Sequence, residues 1–198
     1  MTKGATVSLF REVMSKSVSN VWDDAVKEWD IVSEREDESR FESCVCGQKH
    51  LRNLYTICNR YNGNEIFPIG STCIRKFERD DLNEDLDCRQ QALKLMHEAE
   101  RLAKERGKGN YVEIDSGYFS RKLIWYMEEH GAFRRGGRTF GESDRDAGFL
   151  YDMFNKRKLN EEQRSKTRGL IRDYVYPWLR DLYCKTVLDK PLAEAMMQ

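Results

Sequence analysis

The stretch Glu42–Glu78, ESCVCGQKHLRNLYTICNRYNGNEIFPIGSTCIRKFE, decides the fold class. Cys44 and Cys46 stand one residue apart with Gly47 directly after them. This is the form of a tight turn that curls round a metal and needs a glycine to leave it. The β-rich run LYTIC follows, then Tyr61-Asn62-Gly63-Asn64. Asn-Gly between two β-rich runs predicts a hairpin with a two-residue type I′ turn, because both central residues need positive φ. The return strand is EIFPI, in which Pro68 marks an edge or an end, since it has no N–H to donate. Gly70-Ser71-Thr72-Cys73 closes the unit, and Ile74 to Phe77 reads as the first turn of a helix.

Cys44, Cys46 and Cys73 are candidate ligands of a metal, and the fourth is His50 or Cys58. If Asn62-Gly63 is the turn, Tyr61 pairs with Asn64, Cys58 faces Phe67, and Cys73 falls level with Arg52 and His50. At ~3.3 Å per strand residue, position 58 then lies roughly 20 Å from position 52, whereas a zinc ligand must lie within ~2.3 Å of the ion. This register favours Cys44, Cys46, His50 and Cys73, with Cys58 as a packed thiol. A bulge or a curled strand would reopen the choice between His50 and Cys58. A closed set of four ligands implies structural Zn²⁺. No Glu or second His stands at metalloprotease or deaminase spacing, as a catalytic zinc would require.

The run C-x-C-G, Y-x-I-x-N, N-G-N-E and I-G-S-x-C-I-x-x-F resembles a group of small zinc-ribbon-like proteins carried by bacteriophages and other mobile elements. The likeness continues more weakly into F-S-R-K-L and D-M-F-N-K-R. In sequences of this type the position of Cys58 need not be a cysteine. The resemblance implies a phage or mobile-element context and supplies no mechanism.

Composition limits the alternatives. With 198 residues, 39% hydrophobic and 34% charged, the chain has room for one moderate core or two small ones under a heavily charged surface. Its 4 Trp, 9 Tyr and 9 Phe are too many for a disordered chain. No apolar run approaches the ~18 residues of a membrane span, and no apolar leader follows Met1, so a cytoplasmic location is expected, that of the host if the protein is phage-encoded. The formal net charge is zero, but it is unevenly distributed. Asp30 to Glu42 holds six acids against two bases, and Cys44 to Arg79 six bases against two acids.

Four segments are expected: 1–43, helical with an acidic loop; 44–79, the zinc hairpin; 80–110, a connecting helix and linker; and 111–198, a helical domain. Val7, Phe10 and Met14, then Val18, Val21, Trp22, Ala25 and Trp29, keep helical spacing. EWDIV can instead be a strand that gives the hairpin a third member, which an isolated hairpin needs. SEREDESR reads as a loop. Asn83 is expected to cap a helix with an apolar stripe through Ala92, Leu95, Met96, Ala99 and Leu102, and GKGN to be a linker. Ser120 and the Asn160/Gln163 pair are expected helix caps, Gly131 a helix stop, and Pro177 a start or a kink. The fold class is therefore α+β: a small zinc-clasped, zinc-ribbon-like hairpin within a mainly helical protein that ends in a helical bundle.

The sequence contains no phosphate loop, nucleophile elbow or dinucleotide fingerprint, and an enzyme is not expected. Two functional readings stand. The first is a zinc module that binds nucleic acid or a nucleic-acid-handling complex. It would use Arg52, Arg60, Tyr61, Arg75 and Lys76 beside the metal, and Arg134, Arg135 and Arg138 in a Gly-rich loop between Phe133 and Phe140. The second is a protein-binding inhibitor or adaptor directed at a host defence or transcription enzyme. Neither involves a membrane.

Overall fold

The computed structural model describes residues 3–104, 112–115 and 117–187. These fall into two compact units, divided between Leu86 and Asp87. The division lies inside a helix, whereas the expected linker GKGN is outside the described residues.

The N-terminal unit is built on a three-stranded antiparallel sheet in the order β1-β2-β3. The strands are β1 (Trp29–Glu36), β2 (Asn53–Asn59) and β3 (Glu65–Ile69). EWDIV is thus the third strand that the hairpin requires. β1 runs on through Ser33–Glu36, so half of the expected acidic loop is strand: Glu34 pairs with Tyr55 and Glu36 with Asn53. Glu34 is also buried, which a solvated loop would not allow. Pro68 sits in β3, the edge strand, where a missing donor costs no ladder bond.

Helix α1 (Lys3–Lys16) precedes the sheet, and the second expected helix is reduced to one turn, α2 (Trp22–Ala25), followed by a 3₁₀ turn over Val26–Glu28. The strand takes Trp29 from the helical stripe and buries it completely. After β3 come α3 (Ser71–Ile74), a 3₁₀ turn over Arg75–Phe77, and α4 (Asp80–Lys104). Asn83 lies inside α4 with its N–H bonded to the Arg79 carbonyl at 3.0 Å, so it is not the cap. Leu9, Val13, Trp29, Tyr55, Ile57 and Ile66 are central to the core, together with Cys44, Cys46 and Cys73.

The hairpin is not closed by a two-residue turn. Asn59 N–H bonds to the Asn64 carbonyl at 2.8 Å, leaving four residues in the loop. The Asn59 side chain makes this longer loop: its Oδ1 accepts from the N–H groups of Tyr61 at 2.9 Å and Asn62 at 3.2 Å. Cys58 consequently pairs with Glu65 rather than Phe67, and the register shifts again between Tyr55 and Ile57.

The C-terminal unit is helical, with α5 (Arg121–Glu129), α6 (Phe140–Phe154), α7 (Glu161–Leu170) and α8 (Tyr176–Val187) around a core that includes Leu95, Phe119, Leu123, Met127, Leu150 and Ile171. Ser120 Oγ accepts from Leu123 N at 3.1 Å, and Asn160 Oδ1 from Gln163 N at 2.8 Å, as the capping residues predict. Gly131, at φ +78, ends α5. A π-helical turn, Ile171–Val175, separates α7 from α8 just before Pro177. Proline has no N–H and crowds the carbonyl four residues back, and a widened turn relieves both.

Candidate metal centre

Three cysteines meet in the N-terminal unit. The segment 44–48 forms a knuckle in which Gly47 N–H bonds to the Cys44 carbonyl at 2.7 Å and Cys44 N–H to the Gln48 carbonyl at 2.8 Å. Gly47 leaves this knuckle at φ +88, a conformation that side-chain-bearing residues seldom adopt. Two bonds anchor the knuckle: Val45 N–H to the Pro68 carbonyl at 3.0 Å, and Ser8 Oγ to the Val45 carbonyl at 2.8 Å. Cys73 comes from the other side, in α3, where its N–H bonds to Gly70 O at 2.9 Å.

The sulfurs of Cys44, Cys46 and Cys73 all lie within 4.8 Å of one another, and all three residues are buried. Sulfurs at ~2.3 Å from a tetrahedral zinc are separated by about 3.8 Å. Cys44 and Cys73 are 3.6 Å apart. Gly70 N–H donates to Cys44 Sγ at 3.3 Å, and a donor aimed at sulfur favours its thiolate form. The hydrogen bond from the Cys73 thiol, opposed by burial, brings the Cys44 thiol down to about 5. The same bond and burial push Cys73 up. These opposite shifts favour a thiolate at Cys44 and a thiol at Cys73, and a cation that displaces the remaining proton would be held by both sulfurs as thiolates. The donor set, its spacing and its burial fit a bound metal.

The structure does not bring His50 into this group. His50 is exposed, at φ +62, and its Nδ1 lies 3.2 Å from the Arg40 carbonyl. The space over Gly70 and beside Cys44 belongs to Leu51: a Cβ on Gly70 would meet Leu51 Cδ2 at 3.3 Å and Cys44 Sγ at 4.0 Å. Cys58 is also outside the group, half-buried on β2, with its thiol 3.7 Å from the Asn59 carbonyl. Among the described residues no fourth His, Cys, Asp or Glu joins the three sulfurs.

No protein-family model matches the chain, and no curated protein or solved structure is significantly similar to it.

The expected binding residues are spread over both units, and acids hold several of them. Arg52 Nε pairs with Glu36 at 3.0 Å, and Arg60 with Asp30 at 2.5 Å. Tyr61, at the hairpin tip, is 70% exposed. Arg75 is exposed and Lys76 half-buried in the 3₁₀ turn after Cys73. In the C-terminal unit Arg134 lies over the Phe140 ring at 5.3 Å and donates to the Glu128 carbonyl at 3.2 Å. Arg135 pairs with Asp181, and Arg138 with Asp146 at 2.6 Å. The Gly-rich loop is therefore a paired element of the helical unit rather than a free basic arm. A cationic cavity beside α7 is not among the sites expected from the sequence; its signal there is the basic run NKRK, Asn155–Lys158.

Proposed function

We propose that the chain is a non-enzymatic zinc-stapled binding protein whose N-terminal unit engages nucleic acid or a nucleic-acid-handling complex. The observation that carries this reading is the convergence of three buried sulfurs, two from a knuckle and one from α3. Zinc suits such a set because it has no geometric preference of its own, does no redox chemistry and binds thiolates tightly. Its role is structural: Cys44, Cys46 and Cys73 would hold it and cross-link the knuckle to the start of α3. The partner face is the hairpin tip. There Tyr61 presents an exposed ring beside Arg60, a pairing that stacks on a base while attracting phosphate. Titration of zinc-loaded protein with single-stranded DNA, duplex DNA and RNA at several salt concentrations tests this. Binding that weakens steeply with salt is expected, and weak binding without a salt slope removes the reading.

A second reading has its own observation. Arg52, Arg60, Arg135 and Arg138 each have a carboxylate partner that a phosphate would have to displace. Phe41, at 87%, and Val32, at 50%, are exposed apolar groups in the N-terminal unit. These features suit an inhibitor or adaptor that docks on a host defence or transcription enzyme. Recovery of one defined partner from host lysate, unchanged by nuclease, favours it over nucleic acid.

A further inference from the structure

The C-terminal unit carries a cavity of about 250 Å³ between the segment after α6 and one face of α7. Lys156, Arg157 and Lys158 follow the end of α6. Arg164, Thr167 and Arg168 share a face of α7, since helical neighbours recur three and four residues apart. Five cations thus line the cavity against two carboxylates, Glu113 and Asp115. Asp115 is partly engaged, accepting from Gly117 N–H at 2.7 Å.

Two observations point to an anionic ligand. The side chains of Lys156, Arg157 and Lys158 are exposed and make no hydrogen bond or ion pair among the described residues, unlike Arg52, Arg60, Arg135 and Arg138. Adjacent cations without counter-ions repel one another, and an anion between them relieves that repulsion. The second observation is Thr167, only 3% exposed, whose Oγ1 has no hydrogen-bond partner. A buried hydroxyl is ordinarily bonded, and within a helix it usually turns back to the carbonyl four residues earlier.

We propose that this cavity binds the phosphate group of a ligand. Lys156, Lys158 and Arg164 supply the charge, and the Thr167 hydroxyl donates to a phosphate oxygen. The volume lies below the roughly 300 Å³ at which drug-sized pockets begin, so the cavity takes a phosphate and part of its sugar, not a whole nucleoside triphosphate. The phosphate belongs either to a free monoester or to a nucleic-acid strand. The site extends the nucleic-acid reading to the C-terminal unit and does not depend on the metal.

The test is calorimetric titration of the full chain with inorganic phosphate, adenosine monophosphate, and a short oligonucleotide with and without a 5′-phosphate. Phosphate-bearing probes should bind, and the double variant Lys158→Glu/Arg164→Glu should weaken them by about 10-fold or more, as expected for two reversed phosphate contacts. Thr167→Val should also weaken binding while keeping or raising the melting temperature, because it deletes a hydroxyl that is unpartnered in the free protein. A purely structural role for Thr167 would not separate the two readouts. Binding of the monophosphate assigns the monoester; oligonucleotide binding that is indifferent to the 5′-phosphate, without monophosphate binding, assigns the strand. No binding of any probe at about 10 mM, a free energy of only a few kcal/mol, overturns the site. Binding of inorganic phosphate, the monophosphate or the 5′-phosphorylated oligonucleotide that is unchanged in the double variant also overturns it and leaves the function proposed above standing.

Discussion

Cys44 Sγ lies 3.6 Å from Cys73 Sγ although 29 residues separate them along the chain. On the zinc-stapled reading, Cys73→Ser should release the ion and loosen the knuckle from α3. Cys58→Ser should keep the metal and cost only the ~0.5 to 3 kcal/mol of an ordinary core change. His50→Ala should keep it too, because the imidazole is exposed and outside the sulfur group. Elemental analysis of the three purified variants checks this, and zinc loss in His50→Ala would return His50 to the ligand set.

Glu28 gives the N-terminal unit a pH dependence. Its buried carboxylate accepts from Val18 N and Ser19 N at 2.7 Å each, and from Asn59 Nδ2 at 2.5 Å. Burial raises its carboxyl, but these donors together outweigh burial and leave it below the ordinary 4.5. A depressed carboxyl stabilises the fold above its unfolded value, and that stability is lost as pH falls from about 4.5 through the lower folded value. Glu28→Gln should flatten this acid limb. It should also destabilise at neutral pH by about 2 kcal/mol, the scale of hydrogen bonds to a charged group. Thermal melts of both proteins between neutral and acid pH measure the two effects.

Arg79 ties the start of α4 to the entry of β1. One guanidinium nitrogen donates to the carbonyls of Val26 at 3.1 Å and Trp29 at 2.5 Å, and another pairs with Asp81 at 2.5 Å. Arg79→Lys keeps the charge but not the fork. A loss of about 1 to 3 kcal/mol is expected in chemical denaturation.

Asn160 caps α7 and sets the helix face that carries Arg164 and Thr167. Asn160→Ala should cost about 1 kcal/mol, read as a lowered denaturation midpoint, whereas Asn160→Asp should keep most of the cap.

Much of this architecture was legible in the residues, for local reasons. The Cys-x-Cys-Gly turn, the caps at Ser120 and Asn160, and the edge position of Pro68 each follow from one residue's donors, acceptors or φ. The hairpin register was not legible, because the Asn59 side chain competes with Asn-Gly for control of the turn and wins through two backbone donors. The separation of His50 from the three sulfurs was not legible either, because it lies in a short irregular loop, exposed and at φ +62, where no periodicity places a side chain. The pairing of Arg52 with Glu36 joins the basic run to the acidic one, so the locally basic run overstated the free charge.

The last carbonyl of α1, that of Lys16, accepts from Asn62 Nδ2 at 2.9 Å and Asn64 Nδ2 at 3.0 Å, while Lys16 Nζ donates to the Glu65 carbonyl at 2.9 Å. The hairpin tip thus serves as the C-terminal cap of a helix that precedes it by some forty residues. Tyr61 stands beside the two asparagines that make this cap, so its backbone is already ordered while its ring remains in solvent. A partner that covers the ring immobilises little that was free, and ordering at such a position subtracts little from the contact it forms.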